Sequence, residues 1–323
     1  MKIILNMLTW FMLVTGCAGA SRTLEEVSPH FSANTQIIWR AESNSLPTKL
    51  WVYKKVPRVF SAAMISNAVV LASFQKKGFP APSTNDVVVW LDDFAGEPEP
   101  PNLAFLSREG QLSFTLGDRI PEKQRNIIGG ESAVKHGWNC LIQLGVDGRE
   151  FVNTNSENDG KNTVVFPRQV NGIPFLDGSG EFSFQQFGSN AAIGSFSLLW
   201  PKLEPLTFGP TACPQQIIDC IRAFKTPVVP NDDEGDYAAF LKSMEKVKIF
   251  TITKITAYYG DGVYGESPTN GETSNIVMPV AQLDATADFG GGTRVVRMYS
   301  PILSSEVTRL LGKKMKTTSG GGL

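Results

Sequence analysis

Residues Lys248 to Tyr259 read KIFTITKITAYY, a run dominated by Ile, Thr, Tyr and Phe. β-Branched and aromatic side chains pack well on a pleated surface and lose rotamer freedom in a helix, so the run predicts a strand. Two stretches of the same character follow, NIVMPVAQLDATA from Asn275 to Ala287 and TRVVRMY from Thr293 to Tyr299. Their connections are the glycine-rich Gly260 to Gly271 and the triplet Gly290-Gly291-Gly292. Parallel neighbours need a crossover helix, and most consecutive strands of this chain have none between them. The expectation is an antiparallel α+β fold.

Working upstream, Pro214 to Phe224 carries Ile217, Ile218, Ile221 and Phe224 at the spacing of a core-facing helical stripe, with proline at its first turn. Glu131 to Leu144, stopped by Gly145, predicts another helix, its buried face formed by Val134, Trp138, Leu141 and Ile142. A third starts at Ser61, with Met64, Ile65, Ala68, Val69, Ala72 and Phe74 on one stripe, and ends at Lys76-Lys77-Gly78. Asn102 to Leu116 reads as a hairpin turning at Arg108-Glu109-Gly110, and Asn171-Gly172 marks a second between Thr163 to Val170 and Ile173 to Leu176. Leu50 to Tyr53 and Val87 to Leu91 are further strands, as are the segments carrying Phe182, Phe184, Ile193, Phe196, Leu198 and Trp200. Three main helices result, each followed by strands, and the recurrence points to a duplicated helix-plus-sheet module. Residues 21–49 read as a flexible lead-in, 50–150 as the first α+β module, 151–311 as the second and 312–323 as a disordered tail.

Met1-Lys2 followed by an apolar run from Ile3 to Val14 has the form of a secretory leader, too short for the ~20 residues that cross a bilayer. Two processing readings stand: cleavage after Ala18-Gly19-Ala20, making 1–20 a signal peptide, or a lipoprotein leader 1–16 with lipidation at Cys17. The expected location is periplasmic, extracellular or membrane-anchored, with no transmembrane helix in the mature chain. Beyond Cys17, Cys140, Cys213 and Cys220 remain. A helix from Pro214 separates Cys213 and Cys220 by about 10 Å, too far for a disulfide. Cys140 pairing with either, or three free thiols, both remain open.

The chain has 30 Lys+Arg against 31 Asp+Glu, so it lacks the basic excess of a general nucleic-acid binder. His30 and His136 are its only histidines, which leaves no multi-histidine metal site. His136 falls on the outer side of its helix. Asp92-Asp93 end a buried strand, where paired carboxylates can share a proton, yet successive strand residues point to opposite faces and a turn explains them as well. Asp232 to Asp236 fits helix capping better than a calcium loop. Gly290-Gly291-Gly292 precedes a strand and not a helix, so a hairpin turn accounts for it without phosphate.

Three phrases carry a resemblance: Trp138 to Asp147 (WNCLIQLGVD), Ser197 to Leu203 (SLLWPKL) and Ile252 to Tyr259 (ITKITAYY). In them the chain resembles uncharacterised exported bacterial proteins. In layout its last part is similar to the YycH/YycI regulators, exported proteins that restrain a sensor kinase and are not enzymes. That family keeps a membrane helix where this chain has a cleavable leader, so the resemblance implies a shared fold and transfers no site residue. The expected function is a non-catalytic binding or structural protein of the envelope, its partner an unknown protein or envelope component, with no cofactor and no metal. The alternative is an envelope hydrolase using a carboxylate pair, for which Asp92, Asp93 and Asp261 are the groups to test.

Overall fold

The protein is described by a computed structural model covering residues 28–42, 46–71, 87–90, 102–107, 109–115, 130–153, 163–187, 190–223, 225–226, 228–229, 237–261 and 276–303. Its strands are β1 Gln36–Trp39, β2 Lys49–Val56, β3 Val87–Trp90, β4 Asn102–Leu106, β5 Gln111–Thr115, β6 Thr163–Val170, β7 Ile173–Phe187, β8 Asn190–Leu199, β9 Lys202–Pro210, β10 Val228–Val229, β11 Ile249–Asp261, β12 Ile276–Asp288 and β13 Thr293–Pro301. The helices are α1 Ala62–Leu71, α2 Gly130–Gln143, α3 Pro214–Arg222 and α4 Tyr237–Ser243. The class is α+β, but sheet dominates; the described residues hold the three main helices expected and the short α4, which follows the acidic run 232–236 as the helix-capping reading of that run implies. The leader, Cys17 and the tail 312–323 lie outside the described residues.

The chain divides into two compact units, one formed by Lys55–Glu204 and the other by the described parts of Leu5–Lys54 and Pro205–Leu323. Residue 150, the expected boundary, falls inside the first unit, where Phe151 bridges Arg168.

In the first unit the strands run β6-β7-β8-β5-β4-β3, each pair antiparallel. Alternate residues Leu103, Phe105, Leu112, Phe114, Val164, Phe166, Phe182, Phe184, Phe196 and Leu198 are buried, as a sheet with one covered face requires. Four of the phenylalanines form a row: ring centroids are 5.2 Å apart for Phe114 and Phe196, 5.7 Å for Phe196 and Phe182, and 5.9 Å for Phe182 and Phe166. Each such burial is worth roughly 1.5–3 kcal/mol, and the row holds four strands in register. The turn at Asn171 and Gly172 has φ of 51° and 78°, the left-handed pair that a tight hairpin demands.

Helix α2 covers this row by reciprocal fit. A Cβ on Gly137 would stand 3.0 Å from the Phe166 ring, and one on Gly180 of β7 would stand 3.0 Å from Leu141 of the helix. The buried stripe is therefore Ala133, Gly137, Cys140, Leu141 and Leu144. Val134 and Trp138 are partly buried, and Ile142 is 47% exposed, which corrects the expected face. Bulk misled the periodicity: small residues let the helix backbone approach the sheet, and the larger ones flank the contact. The helix ends at Gly145, φ 86°, whose N–H reaches the Ile142 carbonyl while that of Val146 reaches Leu141. In α1, Ser61 accepts from the Met64 N–H at the N-terminus, and Ile65, Ala68 and Val69 are buried as the stripe predicts. Ala72 to Gly78 lie outside the described residues.

In the second unit β10, β13, β12 and β11 are antiparallel neighbours in that order, and β1 lies parallel to β11. The parallel strand corrects the reading of residues 21–49 as wholly flexible. Thr35 anchors it by donating its hydroxyl to the Val247 carbonyl at 2.7 Å, and Ile37 stands opposite Phe250. A bulge between Ile252 and Lys254 shifts β11 by one residue. Phe250 and Ile252 before it, and Ile255, Ala257 and Tyr259 after it, are all buried, whereas unbroken alternation would have turned Lys254 inward. Gly290, φ 81°, makes the β12–β13 turn, with Phe289 N–H bonded to the Gly292 carbonyl, the hairpin expected of the triplet. Helix α3 lies against β13 and buries Ile217 and Ile221; Gln216 accepts from the Cys213 N–H at its start.

Candidate functional site

Strand β6 places Val164, Phe166 and Arg168 two residues apart on its buried side, so a guanidinium ends the phenylalanine row, its side chain 3% exposed. A buried cation costs several kcal/mol unless neighbours compensate it. Its Nη1 donates to the Pro201 carbonyl at 2.7 Å and its Nη2 to Glu150 Oε2 at 3.0 Å, with the Phe175 ring 5.4 Å away. Glu150 reaches this point from the 3-10 turn Gly148–Glu150, whose start is capped by Asp147 accepting from the Arg149 N–H at 2.9 Å. The Arg149 guanidinium, whose Nη2 donates to Asp147 Oδ2 at 2.7 Å, and then that N–H hold the Asp147 carboxyl down at about 2.

The same Glu150 oxygen accepts from Trp200 Nε1 at 2.6 Å. Trp200 is buried just past β8, where its N–H bonds to the Gly110 carbonyl. Gly110 has φ 66°, and a Cβ there would meet the Pro201 backbone at 2.3 Å, so only glycine lets the two turns touch. Over the indole lies Arg58, its Cζ 3.3 Å from the ring centroid and its Nε donating to the Trp200 carbonyl at 2.5 Å. Burial, then the charge of Arg168, push Arg58 down from 12.5 to about 10, with Glu150 acting in the opposite sense. The η nitrogens of Arg58 donate to no group among the described residues. Oε2 of Glu150 is thus shared between two donors, Arg168 Nη2 and Trp200 Nε1.

The second unit has its own polar group. Asp284 on β12 faces Arg297 on β13, whose Nε donates to Oδ1 at 2.8 Å, and Gln282 Nε2 approaches the same oxygen at 3.3 Å. Burial raises the Tyr258 hydroxyl above its ordinary value. On β2 and β9, Trp51 is 41% and Phe208 52% exposed, their rings 5.0 Å apart, with Leu206 two residues before Phe208 also exposed. Lys49 Nζ lies 5.6 Å from the Phe208 centroid.

Of the residues singled out in the sequence, Asp92, Asp93, Cys17 and the acidic run 232–236 lie outside the described residues. Asp261 ends β11 opposite Val277. His136 is exposed on the outer side of α2, as its spacing predicts. Cys140, Cys213 and Cys220 are free thiols; Cys140 is buried, and burial pushes it up to about 12. Among the described residues no three His, Cys, Asp or Glu side chains gather as metal donors, and no helix is long and apolar enough to cross a membrane. Arg58, Glu150, Arg168 and Trp200 were not anticipated as a group. The alternation Val164, Phe166, Arg168 was the one available signal, since it turns an arginine inward. No protein-family model matches the chain, and no curated protein matches it.

Proposed function

We propose that the chain is an exported, non-catalytic binding or structural protein of the bacterial envelope, similar to uncharacterised exported bacterial proteins and, in the layout of its last part, to the YycH/YycI regulators. The exposed aromatic face of β2 and β9 carries this reading. Single exposed apolar residues are ordinary, whereas Trp51 and Phe208 are paired ring to ring in the open, with Lys49 beside them and Leu206 exposed two residues along β9, the composition of an interaction surface. Export runs through the apolar leader, ending either at a free Ser21 or at a lipid on Cys17. Helices on a mostly antiparallel sheet in each unit support a duplicated module.

The test is co-sedimentation of the purified chain with isolated bacterial envelopes. The wild type is expected to sediment, and Trp51→Ser with Phe208→Ser, melting at the wild-type temperature, to lose most of that binding. Equal sedimentation of the two proteins, or none by the wild type, overturns the reading.

A further inference from the structure

We infer that the face carrying Trp51 and Phe208 docks on an anionic lipid bilayer, its rings entering the headgroup region and Lys49 meeting the lipid charge. The inference rests on the reading of that face as an interaction surface and names its occupant. All its residues lie within one compact unit, in β2 up to Lys54 and in β9 from Pro205.

Pro205 to Pro210 reads PLTFGP, six strand residues without a charge, and four of them, Pro205, Leu206, Phe208 and Pro210, are exposed. On β2, Lys49 to Lys54 reads KLWVYK, whose only charged residues are the exposed lysines at its two ends. An exposed apolar ribbon bracketed by cations, with no acid in either segment, complements a surface that is apolar within and negative outside. Tryptophan settles at the level of lipid headgroups, where its ring meets hydrocarbon and its N–H stays wet. Trp51 and Phe208 stand ring to ring at 5.0 Å, and Lys49 Nζ lies 5.6 Å from the Phe208 centroid, so the rings and the cation reach the same surface.

A protein partner fits this face less well. The exposed parts of Trp51, Leu206 and Phe208 amount to roughly 250–300 Å², against ~800 Å² per partner, more than half of it apolar, in a stable protein–protein interface. Strand addition is hindered too. β2 is the only partner of β9 among the described strands, but Pro205 and Pro210 lack the N–H that a ladder needs. A bilayer sets neither condition, since a side chain that enters it is surrounded by lipid whatever its neighbours.

The experiment is co-sedimentation of the exported chain from Ser21 onward, which carries no lipid, with protein-free vesicles of equimolar phosphatidylglycerol and phosphatidylcholine, and with vesicles of phosphatidylcholine alone. The wild type is expected to bind the anionic vesicles about tenfold more tightly than the neutral ones. Trp51→Ser with Phe208→Ser, melting at the wild-type temperature, should lose about tenfold in affinity for the anionic vesicles. Lys49→Gln should lose about fivefold there and nothing on the neutral vesicles. Wild-type binding to isolated envelopes but not to the vesicles overturns this inference and leaves the envelope reading standing with a protein or glycan partner; binding to neither overturns both. Equal binding to the two kinds of vesicle, or unchanged binding by the aromatic variant, also overturns it. If the aromatic variant does not fold, Lys49→Gln decides, because replacing an exposed lysine leaves the core intact: it must bind the anionic vesicles more weakly than the wild type does.

Discussion

Arg58 and Trp200, 142 residues apart in sequence, touch twice: the guanidinium lies on the indole, and its Nε donates to the tryptophan's own carbonyl. At the edge of the ring, the indole N–H and Arg168 share one oxygen of Glu150. A cation, an aromatic ring, a carboxylate and a second cation are thereby linked at the end of a phenylalanine row.

Removing Glu150 takes a carboxylate partner from the buried Arg168. Glu150→Ala is expected to cost about 2–3 kcal/mol in urea unfolding, below the ~3–5 kcal/mol of a fully buried pair, because Glu150 is 35% exposed and partly screened. Arg149→Ala, at the neighbouring exposed pair, should change stability by no more than about 0.5 kcal/mol. Equal effects would show that Arg168 does not depend on its carboxylate.

The close approach of α2 to the sheet depends on Gly137. Gly137→Leu must displace the Phe166 ring and should destabilise the fold by about 1–3 kcal/mol despite the better helix propensity of leucine. His136→Ala, on the exposed side, is the control. A Gly137→Leu protein melting at or above the wild-type temperature contradicts the packing.

Phe182 occupies the middle of the aromatic row, in contact with Phe166 on one side and Phe196 on the other. Phe182→Ala should cost about 3–5 kcal/mol, which is a large share of a domain's total stability, and so should broaden or abolish cooperative melting.

The cysteines divide by exposure. Iodoacetamide at pH 8.5 should alkylate Cys213 first and Cys140 only after unfolding, as read by peptide mass mapping. The Cys140 thiol is raised from 9 to about 12 in the fold, so the folded state keeps a proton that the unfolded state releases. Its contribution to stability is present in full below pH 9 and lost as pH rises towards 12. Cys140→Ala should flatten that alkaline decline; an unchanged pH profile would assign the decline to other groups.

Much of the fold is legible in short windows. The Asn171-Gly172 turn, the Gly145 stop of α2, the Gly290 hairpin and the Ser61 cap follow from local backbone chemistry, which neighbours a few residues away suffice to set. The burial of Ile65, Ala68 and Val69 follows from helical periodicity. Legibility ends where a small residue is chosen for closeness, as at Gly137, and where a charge is turned inward, as at Arg168. Of the four residues at the Arg58 centre, none carries a local motif, because what defines the centre is the meeting of segments near 58, 150, 168 and 200.

By itself the sequence determined the helices and most of the strands, though not β1 or β9, and that neighbouring strands run mostly antiparallel, since these depend on backbone sterics and on side-chain periods of 2 and 3.6. Tertiary structure alone decided that Gln36–Trp39 joins β11 in parallel, that Thr253 is absorbed in a bulge so that both halves of β11 face the core, and that Arg58 lies over Trp200. Those outcomes depend on packing and charge compensation between residues far apart in the chain, whose free energies appear only once the chain has closed on itself.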